Sequence, residues 1–406
     1  MLEDSEAFIG IDAAKSRNAI AIAEAGREGE IRYLGEVDAT PQSMRKVVAR
    51  LAAKYQRLHF CYEAGPTGYG LYRQLTALGH DCIVVAPSLI PRKPGVRVKT
   101  NRRDAISLAR LLRAGELTPV WVPDEPHEAL RDLVRARDAA VADLRRKRQS
   151  VTSLMLRHGR IFPGKTTWGA RHARWLQEQH FEHPAHQIVL QELVLAIQHA
   201  HERLERIEAA IAEFVPGWSL APAVEALQAL RGVNLISAVT FLVEVGDLRR
   251  FETPRQLMGY LGLVPGERST GDTVRKEGIT KAGNSRARRT LVESAWTYRY
   301  PPRIGKVKLY HLQRVTPAIR DIAWKAQSRL CARFRALSAR GKKSTVAVTA
   351  VARELAAFMW AIVRAVPAPE FTANSDLGPR RFACGGGGEA TVEERPAHAL
   401  WPPRQW

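Results

Sequence analysis

Apolar positions along this chain fall first in short runs and later at helical intervals, and the change of period separates two kinds of structure. Between residues 7 and 37 lie FIGID, AIAIAEA and EIRYLGEV, with Gly26 and Gly29 marking the second turn. Short apolar runs bounded by turn residues predict strands, here in an antiparallel meander. A helical stretch from Pro41 to Tyr55 follows, then the strand LHFCYE, a helix near Tyr69 to Leu78, the strand CIVVA and a helix from about Asn101 to Ala114. Three strands followed by alternating helices and strands predict a mixed α/β sheet.

Beyond Glu125 the period is helical. Leu130, Leu133, Val134, Val141, Leu144, Val151 and Leu154 recur at helical intervals as far as about His158, with Arg131, Arg135, Arg137, Arg145, Arg146, Lys147 and Arg148 between them. A long basic helix with this density of guanidinium groups suits a phosphate backbone. From Leu190 to Phe214 the apolar positions alternate three and four residues apart, an unbroken heptad seam that Pro216 and Gly217 end. Such a seam packs either on the chain's own body or in a coiled coil joining two protomers. A further region opens near Ala223 with two helices around Gly232, a weak match to a helix-hairpin-helix because Asn234 stands where the second glycine is usual. Gly262, Gly266, Gly271, Gly278 and Gly283 then punctuate a predicted loop carrying Arg268, Arg275, Lys276 and Lys281, which opens into a helix with Arg286, Arg288 and Arg289. Flexible backbone, cations and a helix N-terminus together suit phosphate. Helices near Ala318 to Ala339 and Thr345 to Val366 complete that region. The tail from Pro367, with Gly385 to Gly388, reads as disordered. The expected division is 5–158, 159–216, 217–366 and a tail at 367–406.

Composition sharpens this picture. At 406 residues the chain is too long for one core. A net charge of +21, spread along the sequence, makes nucleic acid the expected partner. Cys61, Cys82, Cys331 and Cys384 form no CxxC pair, so neither a disulfide framework nor a zinc ribbon is expected, and a reducing cytoplasm fits. The opening MLEDSEAF is acidic where a signal peptide is basic. Arg353, Glu354 and Arg364 interrupt the apolar segment from Val346 to Val366, which reads as a core helix and not a membrane span. Three histidines in HFEHPAH at 180–186 read as ordinary surface residues, since Pro184 interrupts a helix there and no cysteine joins them. The glycines of AGPTGYG match neither GxGxxG nor the Walker spacing, and read as a turn.

Candidate chemistry begins with Asp12, which closes the first apolar run; a carboxylate on a central strand needs a cation, a donor or water nearby. Glu63 closes a strand that could lie beside it, and Asp104 sits on a helix that could pack against the same sheet edge. Three converging carboxylates repel one another unless a hard divalent cation such as Mg²⁺ holds them. The glycine-rich basic loop adds two hydroxyls, Ser269 and Thr270.

These features meet in a resemblance. GIDAAK at 10–15, YEAGPTGYG at 62–70, VKTNRRDA at 98–105, AGELTPVWVPD at 114–124 and GYLGLVPGERSTGDTVRKEGITKAGNSRARR at 259–289 are similar to motifs of the DEDD transposases of bacterial insertion sequences. The chain resembles the insertion-sequence one-ten family over about residues 5 to 366, and more closely its one-one-one-one group. The resemblance implies an RNase H-like N-terminal domain of the RuvC type, a helical coiled-coil connector and a mainly α C-terminal transposase domain with a serine nucleophile. The family's four acids match Asp12, Glu63, position 101 and Asp104; Asn101 brings a carbonyl oxygen but no charge to Mg²⁺. Ungapped register puts Thr270 at the serine position, while the less hindered hydroxyl of Ser269 favours the neighbour.

The resemblance further implies DNA at element ends and target, a structured non-coding RNA guide, and cleavage and rejoining of strands. The acids and hydroxyls fall in different regions, so the expected site is composite. Expected phosphate contacts are Arg102, Arg103, Arg135, Arg145, Arg146, Arg148, Arg268, Arg275, Lys276, Lys281, Arg286, Arg288 and Arg289. A homodimer or homotetramer in the bacterial cytoplasm, nucleoid-associated and without membrane contact, completes the expectation. Two other readings are a metal-dependent junction nuclease and a catalytically impaired nucleic-acid-binding protein, towards which Asn101 points.

Overall fold

A computed structural model describes residues 5–26, 28–91, 100–270 and 273–367. It divides after Pro123 into two compact units.

In the first unit the runs identified above form strands β1 (Glu6–Ala13), β2 (Arg17–Glu24) and β3 (Ile31–Asp38). Helix α1 (Pro41–Ala52), β4 (Arg57–Glu63), α2 (Gly70–Ala77), β5 (Asp81–Val85) and α3 (Asn101–Arg113) follow. Sheet order is β3-β2-β1-β4-β5. The first three strands pair antiparallel, and β4 and β5 add in parallel to β1, as helical crossovers allow.

Strand alternation sends Ala7, Ile9 and Ile11 to one face, where Met44, Val47 and Val48 of α1 and Leu75 of α2 bury them. The opposite face is lined by small residues. Ala19, Ala21 and Ala23 of β2 meet Ala105 and Ala109 of α3 in a separate cluster. Gly10 admits α3 most closely: a Cβ there would stand 2.3 Å from the Ala105 carbonyl oxygen and 2.4 Å from the Ala109 nitrogen. Backbone lies against backbone, so any side chain at position 10 displaces the helix.

The second unit is mainly helical. Its elements are α4 (Glu125–Arg157), α5 (Ala170–Gln177), α6 (Pro184–Phe214), α7 (Ala221–Leu227), α8 (Leu235–Val245) and α9 (Pro254–Tyr260). Strands β6 (Pro265–Thr270) and β7 (Thr273–Ile279), then α10 (Ser285–Ala295), α11 (Lys306–Gln313), α12 (Pro317–Ala339) and α13 (Ser344–Ala365) complete it.

Two sequence expectations change here, and a third is not reached. Pro184 starts α6 and does not interrupt it: His183 caps the helix, and proline at the first helical position lacks an N–H that would go unpaired anyway. The segment expected as a loop between Gly262 and Gly283 is a β-hairpin, because Arg268, Ser269, Thr270 and Thr273 to Arg275 pair across it. The tail beyond Pro367 lies outside the described residues.

The heptad seam packs internally along part of its length. Leu190, Ile197 and Ala200 of α6 are buried with Leu144, Val151 and Leu154 of α4. Helix α13 is long and apolar enough to span a membrane, yet half of its apolar window is buried in this unit. Val351, Leu355, Met359 and Ile362 lie in the main helical core.

Candidate active site

In the first unit, register and alternation bring the acids to one end of the sheet. Gly10 and Cys61 are register partners on β1 and β4. Both face α3: Gly10 by the close approach above, Cys61 by donating from Sγ to the Leu108 carbonyl at 3.6 Å. Asp12 and Glu63 lie two residues further along their strands, so each returns to the α3 face one step beyond that contact.

Helix α3 runs against the direction of these strands. Near its C-terminus Arg113 donates to the Glu24 and Gly29 carbonyls, and Glu24 is the partner of Ala7 at the start of β1. The first turn of α3 therefore lies at the carboxyl ends of β1 and β4. Asn101, Asp104, Leu108 and Leu111 share one helical stripe, with Leu108 against Cys61. One turn back from Leu108 is about 6 Å, close to the two-residue step from Cys61 to Glu63. Asp104 is thereby brought level with Glu63 and Asp12.

Thr100 fixes the start of this helix, its hydroxyl accepting from the Arg103 N–H. Asp104 in the first turn also gains from the helix dipole. Asp12, Glu63 and Asp104 are half-buried, whereas Asn101 is exposed. As hard oxygen donors they suit a divalent cation. Among the described residues, however, no three His, Cys, Asp or Glu side chains are gathered closely enough to hold a metal ion. Arg102 and Arg103 are exposed beside them, with the Arg102 guanidinium 5.3 Å from the Tyr33 ring centre.

The hydroxyl pair belongs to the second unit. β6 is extended, so Glu267 and Ser269 point to one face and Arg268 and Thr270 to the other. Ser269 donates from Oγ to Glu267 Oε1 at 2.6 Å. Thr270 lies opposite Thr273 and both hydroxyl residues are exposed. Glu267 escaped sequence reasoning, although an acid two residues before a serine in an extended segment is a usable signal.

The base of the hairpin is fixed by backbone. Gly262 and Gly283 both have positive φ, and a Cβ on Gly283 would meet the Tyr260 carbonyl oxygen at 1.9 Å. Arg288 clamps the base to α10 by donating to the Leu261 and Ala282 carbonyls at 3.0 and 2.9 Å.

A second acid that sequence reasoning missed is Glu244, alone in the apolar helix LISAVTFLVEV, with a side chain 1% exposed. It accepts from Arg135 at 3.0 and 3.1 Å and from Asn284 Nδ2 at 2.6 Å. Burial pushes its pKa up, but the hydrogen bonds from Arg135 and Asn284 outweigh this and hold it below the usual carboxylate range. Asn284 also caps α10 by accepting from the Arg286 and Ala287 N–H groups. One buried carboxylate thus ties α4, α8 and the start of the basic helix together.

Among the expected phosphate contacts, Arg135 is bound to Glu244 and Arg288 to carbonyls. Arg286 pairs with Asp138, Arg289 with Glu293 and Arg146 with Asp143. The Arg148 guanidinium lies 5.4 Å from the Trp168 ring centre. Arg145, Arg268, Arg275 and Lys281 are exposed, Arg268 with an ion pair to Glu277 at 3.4 Å; the side chain of Lys276 lies outside the described residues. Among the histidines, His158 and His183 each lie against His186 as rings, 4.5 and 5.4 Å between centres.

Comparison with known proteins identifies the family. A family described as "Transposase" matches residues 9–159, and one described as "Transposase IS116/IS110/IS902 family" matches residues 224–307. The chain is 69% identical over 359 residues to "Putative transposase y4qE" of Sinorhizobium fredii, covering 88% of this chain and 89% of that one. It is 31% identical over 341 residues to "Transposase for insertion sequence element IS1533" of Leptospira borgpetersenii, covering 83% and 98%. A shorter match, 36% over 69 residues and 17% of this chain, is to "Transposase for insertion sequence element IS1111A" of Coxiella burnetii.

Proposed function

The chain belongs to the IS116/IS110/IS902 family of transposases, and from that membership we propose that it cuts and rejoins DNA strands as its insertion sequence moves. The observation that carries this reading is the placement of Asp12, Glu63 and Asp104 at one end of an α/β sheet, with Asp12 and Glu63 on adjacent strands. The RNase H-like, RuvC-type description fits the strand order of that sheet.

Mg²⁺ would be held by the carboxylates of Asp12, Glu63 and Asp104 with the amide oxygen of Asn101, and when bound it supplies Lewis-acid polarisation of a phosphoryl oxygen. The second unit supplies the nucleophile. Ser269 Oγ attacks phosphorus, its proton passes to the Glu267 carboxylate, and the P–O bond to the strand oxygen breaks, that oxygen taking a proton from water. A phosphodiester is exchanged for a phosphoserine ester of similar energy, so the reverse step rejoins a strand without an external energy source. Arg268 and Arg275 balance charge on the phosphoryl oxygens.

DNA at the element ends and at the target is the substrate, and a structured RNA from the element's non-coding end is the guide. The net charge of +21 supports both. We place the protein in the bacterial cytoplasm, on the nucleoid. It works as a homodimer or homotetramer, joined as a coiled coil through the solvent face of α6, where Ile188 and Leu195 are 58% and 42% exposed.

Trapping of a protein–DNA adduct, followed by peptide mapping, tests this function. Wild type and Thr270→Ala are expected to yield an adduct on the peptide containing Ser269, and Ser269→Ala none. An adduct lost only in Thr270→Ala reverses the assignment. Strand cleavage without any adduct supports the junction-nuclease reading instead.

A further inference from the structure

Helix α12 takes no part in the chemistry above, and its solvent side is strongly basic. Between Asp321 and Glu354 the sequence holds no acid. Lys325, Arg329, Arg333 and Arg335 lie on the helix, Arg340 caps its C-terminus, and Lys342 and Lys343 follow at once. All of these are exposed. The other side of the helix is taken up by packing, with Ile319, Ala323, Leu330 and Phe334 in the main helical core.

Helical spacing orders that side. Lys325, Arg329 and Arg333 follow one another at intervals of four, and Arg340 continues their row one heptad after Arg333. Beside the row runs a stripe of short side chains, Ser328, Ala332, Ala336 and Ala339, at intervals of four, four and three. Arg329 and Arg335, three residues before and three after Ala332, stand on opposite sides of this stripe. Little within the fold balances the charge. Arg329 and Arg333 share the single carboxylate of Glu354, at 2.8 and 3.3 Å. Lys325, Arg335 and Arg340 have no acidic partner among the described residues. Like charges four residues apart destabilise a helix. The helix dipole favours cations in the last turn, which accounts for Arg340 but not for Lys325 and Arg329 in the middle.

We propose that this side of α12 binds the backbone of duplex DNA independently of its sequence, the helix lying at the mouth of the major groove. Lys325, Arg329 and Arg340 then meet phosphates of one strand and Arg335 those of the other. The inference rests on the DNA-acting reading above and adds to it a surface that none of the phosphate contacts named there includes. Short side chains between the cations let the helix approach the groove, which in B-form DNA is about 12 Å wide and admits an α-helix. The deep, narrow major groove of duplex RNA does not. Ser328 and the three alanines offer almost nothing to a base edge, so the contacts position the duplex without reading it. An acidic membrane is a poorer match, because a helix lying on lipid turns its large apolar groups outward, whereas Ile319, Leu330 and Phe334 are in the core.

Fluorescence anisotropy of the full-length chain, titrated with salt, tests the assignment on two labelled DNA duplexes of unrelated sequence and an RNA duplex of equal length. Lys325→Gln with Arg335→Gln and Arg340→Gln is expected to flatten the slope of log affinity against log salt by about 2.7 on both DNA duplexes, since each lost phosphate contact contributes about 0.9. Lys325→Arg with Arg335→Lys and Arg340→Lys keeps every charge and is expected to keep the slope. Lys46→Gln with Arg50→Gln and Lys54→Gln, at exposed positions on and just after α1, removes the same net charge elsewhere and is expected to leave the slope alone. All the substituted side chains are exposed, and circular dichroism checks the fold. An unchanged slope in the α12 variant, an equal fall in the α1 variant, a fall confined to one DNA sequence, or a fall as large on the RNA duplex overturns the proposal. Retained DNA binding with an unchanged slope strikes α12 alone, whereas absence of any DNA binding by the wild type overturns the function as well.

Discussion

Each candidate group in this protein has a different way of being necessary. Asp12, Glu63 and Asp104 contribute charge to one end of a sheet, so replacing any one removes a proposed metal ligand without removing core. We expect Asp12→Ala, Glu63→Ala and Asp104→Ala each to abolish strand cleavage on a labelled substrate with Mg²⁺, at unchanged thermal stability. Full cleavage in all three would eliminate the metal reading. Asn101→Asp adds the charge that the amide lacks, and retained or higher activity at lower Mg²⁺ is the expected outcome; a clear loss would give the amide a role of its own. Glu267 differs again, because it accepts the hydrogen bond of Ser269, the proposed nucleophile. Glu267→Gln keeps a hydrogen-bond acceptor but not a base, so adduct formation in a single turnover is expected to slow about 10²- to 10⁴-fold at neutral pH and to recover as pH rises. An unchanged pH profile would reduce Glu267 to a neighbour. Two of these residues were legible in different ways. Asp12 and Glu63 announce themselves as the polar ends of apolar strands, whereas Glu267 becomes visible only once the segment is known to be extended.

Elements carry the geometry that those residues need, and small side chains decide it. Helix α3 reaches its position because Gly10 and the alanines of β2 leave no bulk between helix and sheet. Gly10→Val is therefore expected to push α3 outward, lower the melting temperature and lose cleavage together, while Gly35→Ala, at a strand position with open space, affects stability alone. Equal activity in Gly10→Val would show that Asp104 is not positioned through this contact. The strands and helices of the first unit were readable because period and turn residues agree there. The hairpin was not, since its glycines and charges carry loop composition and its pairing is cross-strand. Pro184 misled for a local reason: proline ends a helix from within but begins one at the first position. The seam of α6 shows a further limit, because a heptad states that a stripe is buried and not by what. Ile197 is 1% exposed against α4, so Ile197→Glu with Leu204→Glu is expected to unfold the helix pair. The assembly question moves to the other face: Ile188→Glu with Leu195→Glu should lower the mass seen by light scattering at unchanged helicity, and an unchanged mass would remove α6 from the assembly.

Charge is the property of the whole molecule, and its distribution makes a quantitative claim. Many of the arginines are occupied within the fold: Arg135 with Glu244, Arg137 with Glu208, Arg286 with Asp138 and Arg329 with Glu354. The excess of +21 remains after such pairs cancel, since each pair is neutral; Arg113 and Arg288 are taken up by backbone carbonyls, while Arg145, Arg275 and Lys281 are exposed to solvent or ligand. Each phosphate neutralised on duplex DNA contributes about 0.9 to the slope of log affinity against log salt. With six to ten contacts, affinity is expected to fall roughly 10³- to 10⁵-fold between 50 and 200 mM salt. Arg268→Ala with Arg275→Ala, both exposed on the hairpin, should reduce that slope by about two. Arg135→Ala should instead leave the slope alone and destabilise the helical unit, because it strips Glu244 of its buried partner. The same titration distinguishes a guide from a passive polyanion. RNA from the element's own non-coding end is expected to stay bound at 200 mM salt where unrelated RNA of equal length dissociates, since shape-specific contacts do not scale with salt as phosphate contacts do. Identical curves for the two RNAs would mean that the charge of this protein attracts nucleic acid without choosing it.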